Sequence, residues 1–385
     1  DRVLQMSDAD QTEVAVWGTE AALTRFANNY IHQNVRESNA QVSVRVAVGT
    51  RLGVASTNDA TDEGLRKVLE SAREIARFQR ENSDFTSLPN PQEAGTPRPV
   101  PYIEATASAS PEMRADGAGA VCRLAEENGL TAAGAFATET QELGVANSLG
   151  LFQYGVGTSA NILTVVMGET SSGYADRASI DVGQIDAEEV AREAVGKALR
   201  SRNPVSIEPG EYTVVLEEYA MTGLLEYLAI SGGFSALAVQ EGRSFLRPGE
   251  RITGENINIF DDGTDPRGLA LGIDLEGVAK RRVDLIKGGM TGEPVHDSMT
   301  AHKEGRLSTG HALPAPNPWG PMPLNLFMEP GDTPGEELIK GIERGVWVTR
   351  FHYMGVVHPM KAIITGMTRD GTFLIENGEI TQPIK

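Results

Sequence analysis

Cysteine is almost missing from this 385-residue chain, which carries a single one, Cys122. One thiol excludes an internal disulfide and a metal site built from several thiolates. Because its neighbours follow an alanine-rich helical pattern, we interpret Cys122 as a small buried hydrophobe. Long apolar runs are missing too. No stretch of about 18 apolar residues occurs, which excludes a membrane-spanning helix.

Positive charge is also in short supply: 34 Lys and Arg stand against 53 Asp and Glu, a formal net charge of −19. Binding to a phosphate backbone needs a basic face that displaces counterions, and the sequence shows no dense cluster of Lys and Arg. The residues after Asp1 have neither the basic nor the apolar region of a secretory signal. We therefore expect no nucleic-acid or membrane partner and a cytoplasmic location.

Common catalytic signatures are absent as well. The sequence has no Gly-x-Ser-x-Gly elbow, no phosphate-binding loop and no complete dinucleotide fingerprint. None of its six histidines is followed by Glu, and no two are spaced at four on a helix, so a His-Glu-x-x-His zinc motif is excluded. A metal site would need scattered histidines such as His296, His311 and His358 to converge in the folded chain.

The period of the apolar pattern changes along the chain. Residues 41–48 alternate apolar and polar side chains, as in a half-buried strand, whereas residues 62–81 repeat apolar side chains at three and four, as in a helix. An Asn-Gly pair at Asn377 predicts a closing hairpin over 372–383. The same reasoning predicts further strands at 12–17, 22–27, 31–36 and 161–166, and further helices at 111–127, 186–200, 217–230 and 335–344.

Proline and glycine divide the chain. Five prolines within residues 89–101 predict a linker and exclude regular helix there, and the Pro- and Gly-containing run 203–210 is the best domain boundary. We therefore expect an α+β protein. An N-terminal α/β domain, 1–205, holds the strand meander, helices and Pro-rich linker, and a mainly antiparallel β domain, 206–385, follows it.

One segment suggests ligand binding. Residues 311–323 begin at His311 and are rich in proline, so the segment is rigid and extended. It is either a structural loop that anchors Trp319 in a core, or a wall that holds an extended peptide at little entropic cost. Our candidate substrate-binding residues are His296, His311, Asn317, Trp319 and Arg281. No residue is assigned a catalytic or metal-binding role.

Several stretches together resemble one family. Residues 23–34, Leu-Thr-Arg-Phe-Ala-Asn-Asn-Tyr-Ile-His-Gln-Asn, are similar to the N-terminal signature of the TldD/PmbA family of metalloproteases, whose members also carry an older label as DNA gyrase modulators. Within this stretch we interpret His32 and Asn34 as bracing the first sheet. The resemblance spans essentially the whole chain. It continues at residues 231–233, 244–246, 280–286, 308–312 and 364–373.

The resemblance also indicates a branch of that family. Its catalytic TldD-type subunit carries zinc on a His-Glu-x-x-x-His helix and a later cysteine, whereas the corresponding helix here, 217–230, has no histidine, and no cysteine follows Cys122. The chain is thus similar to the metal-free PmbA (TldE) branch, which implies no cofactor. It implies a dimer around a cavity for unfolded peptides, either a heterodimer with a zinc-bearing TldD-like subunit or a homodimer.

Two other functions remain open from the sequence. The chain could act alone as a metallopeptidase with a non-standard site, or it could regulate other proteins by binding them, as the gyrase label suggests. In the TldE-like reading it takes part in proteolysis and peptide maturation only with a catalytic partner, because it has neither a Lewis acid nor an activated nucleophile of its own.

Overall fold

A computed structural model describes residues 1–385, except for the side chain of Glu336. Its first half is built on one antiparallel sheet of six strands in the order β3-β2-β1-β4-β5-β6. The strands are β1 (Gln11–Ala27), β2 (Tyr30–Val48), β3 (Arg51–Thr57), β4 (Thr131–Asn147), β5 (Phe152–Met167) and β6 (Ser172–Ser179).

The first two strands are longer than predicted. The four short strands expected before residue 49 are two continuous ones, joined at Asn28 and Asn29, whose φ angles are +52° and +63°. Two consecutive left-handed residues form the tight turn that suits the twist of a hairpin. Small and polar side chains in the middle of each strand interrupt the apolar alternation, but backbone pairing continues through them.

Helices cover one face of this sheet and the second half of the chain covers the other. On the helical face, α2 (Asp62–Phe78) packs against Val14 and Val44, and α5 (Pro111–Glu127) and α6 (Ala187–Arg200) pack around Phe26 and Phe136. On the opposite face Leu143 and its neighbours meet residues from the second half of the chain. The helices of the first half are α1 (Arg2–Met6), α2 (Asp62–Phe78), α3 (Pro91–Ala94), α4 (Glu104–Ala107), α5 (Pro111–Glu127) and α6 (Ala187–Arg200).

Two glycines let the outer helices approach the outer strands. A Cβ atom on Gly53 of β3 would lie 2.0 Å from the carbonyl oxygen of Ala72 in α2, and one on Gly173 of β6 would lie 2.1 Å from that of Ala194 in α6. Both distances are far below van der Waals contact, so only glycine fits at either position. The two edges of the sheet are therefore built in the same way.

The second half holds two four-stranded sheets, ordered β10-β9-β8-β11 and β14-β13-β12-β7. The predicted closing hairpin is confirmed as β13–β14, with Asn377 and Gly378 at φ +52° and +79°. The strands of the second half are β7 (Thr213–Leu216), β8 (Ile259–Asp261), β9 (Val283–Lys287), β10 (Met290–Thr291), β11 (Leu326–Met328), β12 (Arg344–His358), β13 (Ile363–Glu376) and β14 (Glu379–Pro383). The helices of the second half are α7 (Glu218–Ile230), α8 (Ala236–Gln240), α9 (Ser298–Lys303) and α10 (Gly335–Leu338).

The α+β class is confirmed, and two local expectations need correction. The Pro-rich segment contains the short helix α3, because Pro91 sits at the first helical position, where no N–H is needed, and Asn90 caps it. The helix expected over 335–344 is a single turn that ends at Leu338, since the chain enters β12 at Arg344. No helix in the described part of the chain is long and apolar enough to cross a membrane.

Candidate functional site

The helix that the family resemblance singles out begins with a fully engaged carboxylate. Glu217 precedes α7, and its side chain is only 9% exposed. Lys197 Nζ donates to its Oε2 at 2.6 Å, and Trp347 Nε1 and Thr349 Oγ1 donate to its Oε1 at 2.5 and 3.1 Å. A cation and two neutral donors therefore occupy both oxygens of Glu217.

The network continues into α6. Lys197 also donates to Glu193 at 2.7 Å, and the hydroxyl of Tyr219 donates to the same carboxylate at 2.8 Å. Burial would raise the pKa of Glu193, but the hydrogen bond and charge of Lys197 outweigh it and lower that pKa. Burial raises the pKa of Tyr219, which keeps it a neutral donor. These contacts fix the start of α7 against the first half of the chain.

The residues at this position do not fit a zinc site. Helix α7 contains neither His nor Cys, and its two acids, Glu218 and Glu226, are exposed. Cys122 is buried in α5, where desolvation raises the pKa of its thiol. Within the described residues, no group of three or more His, Cys, Asp or Glu side chains is arranged to hold a metal ion.

The loop that precedes residues 311–323 brings three of the predicted residues together. The backbone N–H of His296 donates to Thr309 Oγ1 at 2.7 Å, and the ring of His311 lies 2.9 Å from the same hydroxyl oxygen. Arg281 donates to the backbone carbonyl of Ser308 in the same loop. His358, the third histidine of the scattered set, is on β12 in a different sheet.

His311 lies between an acid and a hydroxyl, but the group is buried. Its Nε2 is 2.8 Å from Asp261 Oδ1, and both side chains are 0% exposed. Burial lowers the pKa of His311, so the ring is neutral: Nε2–H donates to the carboxylate, and Nδ1 accepts from Thr309. This order of groups resembles a catalytic relay. Because no solvent reaches the ring, its role here is to hold the 308–311 loop on β8.

His296 is buried and unsatisfied. It is 2% exposed, and neither ring nitrogen has a hydrogen-bond partner in the described structure. Its Nε2 lies 3.8 Å from a Glu304 carboxylate oxygen, which is too long for a hydrogen bond. Burial lowers the pKa of His296 despite that neighbouring acid. The ring is therefore neutral at pH 7.

Of the two roles predicted for residues 311–323, a structural loop that anchors Trp319 in a core is wrong. Its side chain is 68% exposed. Asn317 closes a turn around it: Asn317 Oδ1 accepts from the Trp319 N–H at 2.9 Å, and Asn317 Nδ2 donates to the Gly320 carbonyl at 2.8 Å. The prolines on either side keep this turn extended, so the indole points outward rather than into the fold.

Residues 314–316, within the proline-rich run 311–323, line a cavity, but the residues predicted to bind substrate do not. A space of about 210 Å³ separates residues 314–316 from the sheet face that carries Trp17 and Ser43. None of the five predicted residues lines it. At one end of this cavity Arg45 donates to Glu13 at 2.7 Å and to Glu276 at 2.9 Å, with all three side chains at most 9% exposed.

Burial and the charge of Arg45 act in opposite directions on the pKa of both acids of this ion triad. Burial raises the pKa of Glu13, although the charge of Arg45 pulls it down. For Glu276 burial acts the same way, but the charge of Arg45 and hydrogen bonds from Ser298 outweigh it and lower its pKa. Sequence reasoning missed the triad because its members are 32 and 231 residues apart. The only sequence signal was a charge at an inward position of an otherwise apolar strand.

Comparisons with known proteins agree with this architecture. The PmbA/TldA metallopeptidase C-terminal domain matches residues 209–385, and domain 1 of the same family matches residues 18–76. The metalloprotease PmbA of Escherichia coli O157:H7 is 25% identical over 99% of this chain and 84% of its own. The structure of TldE from Thermococcus kodakarensis superposes with a TM-score of 0.89 at 25% identity, covering 97% of this chain and 86% of that one.

Other relatives are matched over part of their length. An uncharacterized protein of Methanocaldococcus jannaschii is 29% identical over 276 residues, which is 70% of this chain and 63% of that protein. Two further metalloproteases, from Methanothermobacter thermautotrophicus and Haemophilus influenzae, are covered over 44% and 42% of their lengths. The two domain matches and the full-length similarity to PmbA and TldE show that this chain belongs to the PmbA/TldD metallopeptidase family.

Proposed function

We propose that this chain is a TldE-like subunit that has no zinc site of its own and that helps a zinc-bearing, TldD-like partner to enclose and process unfolded peptides in the cytoplasm. The observation that carries the proposal is that protein groups already hydrogen-bond to both carboxylate oxygens of Glu217. At the helix where the resemblance places zinc ligands, the carboxylate is neutralised by Lys197 and held by Trp347. Hydrolysis of an amide needs a Lewis acid or an activated nucleophile, and these residues supply neither.

An exposed apolar hairpin supports pairing with another subunit. On the hairpin formed by β12 and β13, Tyr353 is 79% exposed, Val357 61% and Met367 56%, and Met367 pairs with His352, the residue before Tyr353. Apolar side chains grouped in this way on a surface mark interaction sites. The occupant we propose is a TldD-like subunit, since curated relatives include proteins named TldD homologues and a solved neighbour is a TldE.

The proposed peptide contact is the 210 Å³ cavity beside residues 314–316. Its wall is a rigid Pro-Ala-Pro segment, and its floor offers the hydroxyls of Ser43 and Ser56. We further propose that residues 1–205 and 206–385 are two domains, with the ion triad and the Glu217 network as their shared boundary.

The decisive experiment compares the chain alone with the chain plus a TldD-like subunit that carries the His-Glu-x-x-x-His helix. We expect the purified chain to contain far less than one zinc ion per molecule and to cleave no unfolded peptide. The mixture should cleave the peptide, and a chelator should abolish that cleavage. A matched control replaces both histidines of the partner's motif with Ala. Chelator-sensitive cleavage by the chain alone would establish the autonomous metallopeptidase instead.

A further inference from the structure

A second cavity lies on the helical face of the six-stranded sheet. It has a volume of about 400 Å³ and is enclosed by β1, β2, β4 and the segment that leads into α5. Asn34, which the sequence predicts to brace the first sheet, lines it together with Thr138 and Thr140. Its walls are therefore rich in hydrogen-bonding groups.

Arg114 lines this cavity as a buried cation without an acidic partner. The residue is 1% exposed, and one terminal nitrogen donates to the carbonyl of Ala109 at 3.0 Å and to Thr138 Oγ1 at 3.1 Å. Both acceptors are neutral. Its Nε finds no acceptor in the described structure, and no described carboxylate forms an ion pair with the guanidinium. An arginine does not lose its proton inside a protein, so this charge persists.

A buried charge of this kind is costly unless it is compensated. The surroundings add to the positive potential: Arg114 lies in the first turn of α5, a 17-residue helix whose amino end carries partial positive charge. Burial is the main cause that lowers the pKa of Arg114; Arg36, which also lines the cavity, lowers it further, and the charge of Glu112 opposes these effects more weakly. The partner of Arg36 is Glu20, at 2.6 Å. The missing element is an anion.

We propose that this cavity binds a carboxylate, with the Arg114 guanidinium as its anchor. A planar carboxylate matches the two-pronged geometry of a guanidinium. One acid in the wall, Glu20, opposes a second negative charge and so disfavours phosphate. The hydroxyls of Thr138 and Thr140 supply further hydrogen bonds to the same group.

The carboxylate belongs to an extended molecule. A neighbouring polar cavity of about 560 Å³ shares Glu20, Arg36, Ala107 and Thr140 with the first, so the two form one groove along the sheet. A chain that ends in a carboxylate, such as the C-terminus of a peptide, fills both. In this peptide form the inference rests on the proposed function, but it concerns binding by this chain alone and needs no cleavage.

The test measures binding to the full chain by calorimetry, with no partner subunit present. The probes are a short N-acetylated peptide of Ala, Ser and Gly with a free C-terminus, the same peptide amidated, acetate and inorganic phosphate. We expect the free acid to bind at least about tenfold more tightly than the amide. Acetate should bind more weakly than the peptide, and phosphate more weakly than acetate.

Variants locate the site. Arg114→Gln should weaken binding of the free acid by about tenfold or more. Ala22→Leu, which fills the cavity and leaves Arg114 in place, should weaken it as well, so the test survives if the first variant does not fold. Arg123→Gln is the matched control, since Arg123 is exposed on the same helix and pairs with Glu188. Equal binding of acid and amide, no binding of either, tighter binding of phosphate, or an unchanged affinity in Ala22→Leu would each overturn the proposal. Failure of cleavage with the partner would leave it standing.

Discussion

Arg45 on the second strand donates to Glu276, which is 231 residues later in the chain, at 2.9 Å. The same guanidinium donates to Glu13 on the neighbouring strand. It therefore joins the face of the six-stranded sheet to the segment that covers it. Buried ion pairs add little net stability compared with apolar packing, but removing one member leaves the others unpaired in a medium that solvates them poorly.

The first prediction follows from that asymmetry. Arg45→Met should lower the free energy of unfolding by about 3–5 kcal/mol, because two buried carboxylates lose their cation. The matched control is Arg36→Met, on the same strand, whose exposed pair with Glu20 should contribute less than about 1 kcal/mol. Chemical denaturation measures both. Equal effects of the two substitutions would mean that the triad is not the joint described.

A second prediction concerns the close contact between β6 and α6. Gly173→Ala places a methyl group 2.1 Å from the Ala194 carbonyl oxygen, so the helix must move. Overpacking of this kind should cost about 1–3 kcal/mol or more. Gly119→Ala is the control, since nothing lies within 4 Å of its added Cβ and alanine favours helix. Thermal unfolding should show a lower midpoint for the first and an equal or higher one for the second.

Protonation of His296 should make stability depend on pH. Burial holds its pKa below the ordinary value of 6.5, so between those two values the unfolded chain binds more protons than the folded one. The contribution of His296 to the free energy of unfolding should therefore fall as pH drops below about 6.5, whereas Asp274, whose pKa burial raises to about 7, contributes with the opposite sign. The charged groups that face the ring are Glu304, Arg306 and Glu293.

His296→Leu removes this protonation, so the change in its free energy of unfolding from pH 7 to pH 5 should be more favourable than that of the wild type. A pH dependence remains in the variant, because burial lowers the pKa of His311 as well. His32→Gln, at an exposed position, serves as the control. Urea unfolding at a series of pH values measures the difference, and identical slopes for the wild type and His296→Leu would rule the account out.

Glu217 should behave as a structural residue. Glu217→Gln keeps the shape of the side chain but deprives Lys197 of one anion, and we expect a loss of about 1–3 kcal/mol. Glu226→Gln, on the exposed face of the same helix, should change stability little. Zinc content measured by elemental analysis should be the same in both variants and in the wild type. A zinc loss specific to Glu217→Gln would contradict the proposed role.

The last prediction tests the exposed hairpin. The double substitution Tyr353→Ser and Met367→Ser should weaken association with a TldD-like subunit by about tenfold or more while leaving the unfolding midpoint of the isolated chain nearly unchanged. Phe78→Ser is the control, because Phe78 is 88% exposed at the end of α2, away from this hairpin. Analytical ultracentrifugation measures the association. Wild-type affinity in the double variant would place the contact elsewhere.

Several parts of the molecule follow from the sequence alone. The helices predicted over 111–127 and 186–200 form at these places, and the structure shows Ser110 and Asp186 capping them. The closing hairpin is specified by its Asn-Gly pair. These features are local, because capping and turn formation involve residues a few positions apart. The lack of histidine in residues 217–230 is likewise a matter of sequence.

The tertiary structure decided the rest. Only the folded chain pairs Arg45 with Glu276, brings Arg114 into hydrogen-bond distance of Thr138, and leaves the indole of Trp319 exposed to solvent. Each of these depends on which distant segment reaches a given part of the structure. Periodicity identifies a buried face but carries no information about what covers it. Charged side chains on such a face find partners far along the chain, and it is there that this protein keeps its ion triad and its uncompensated arginine.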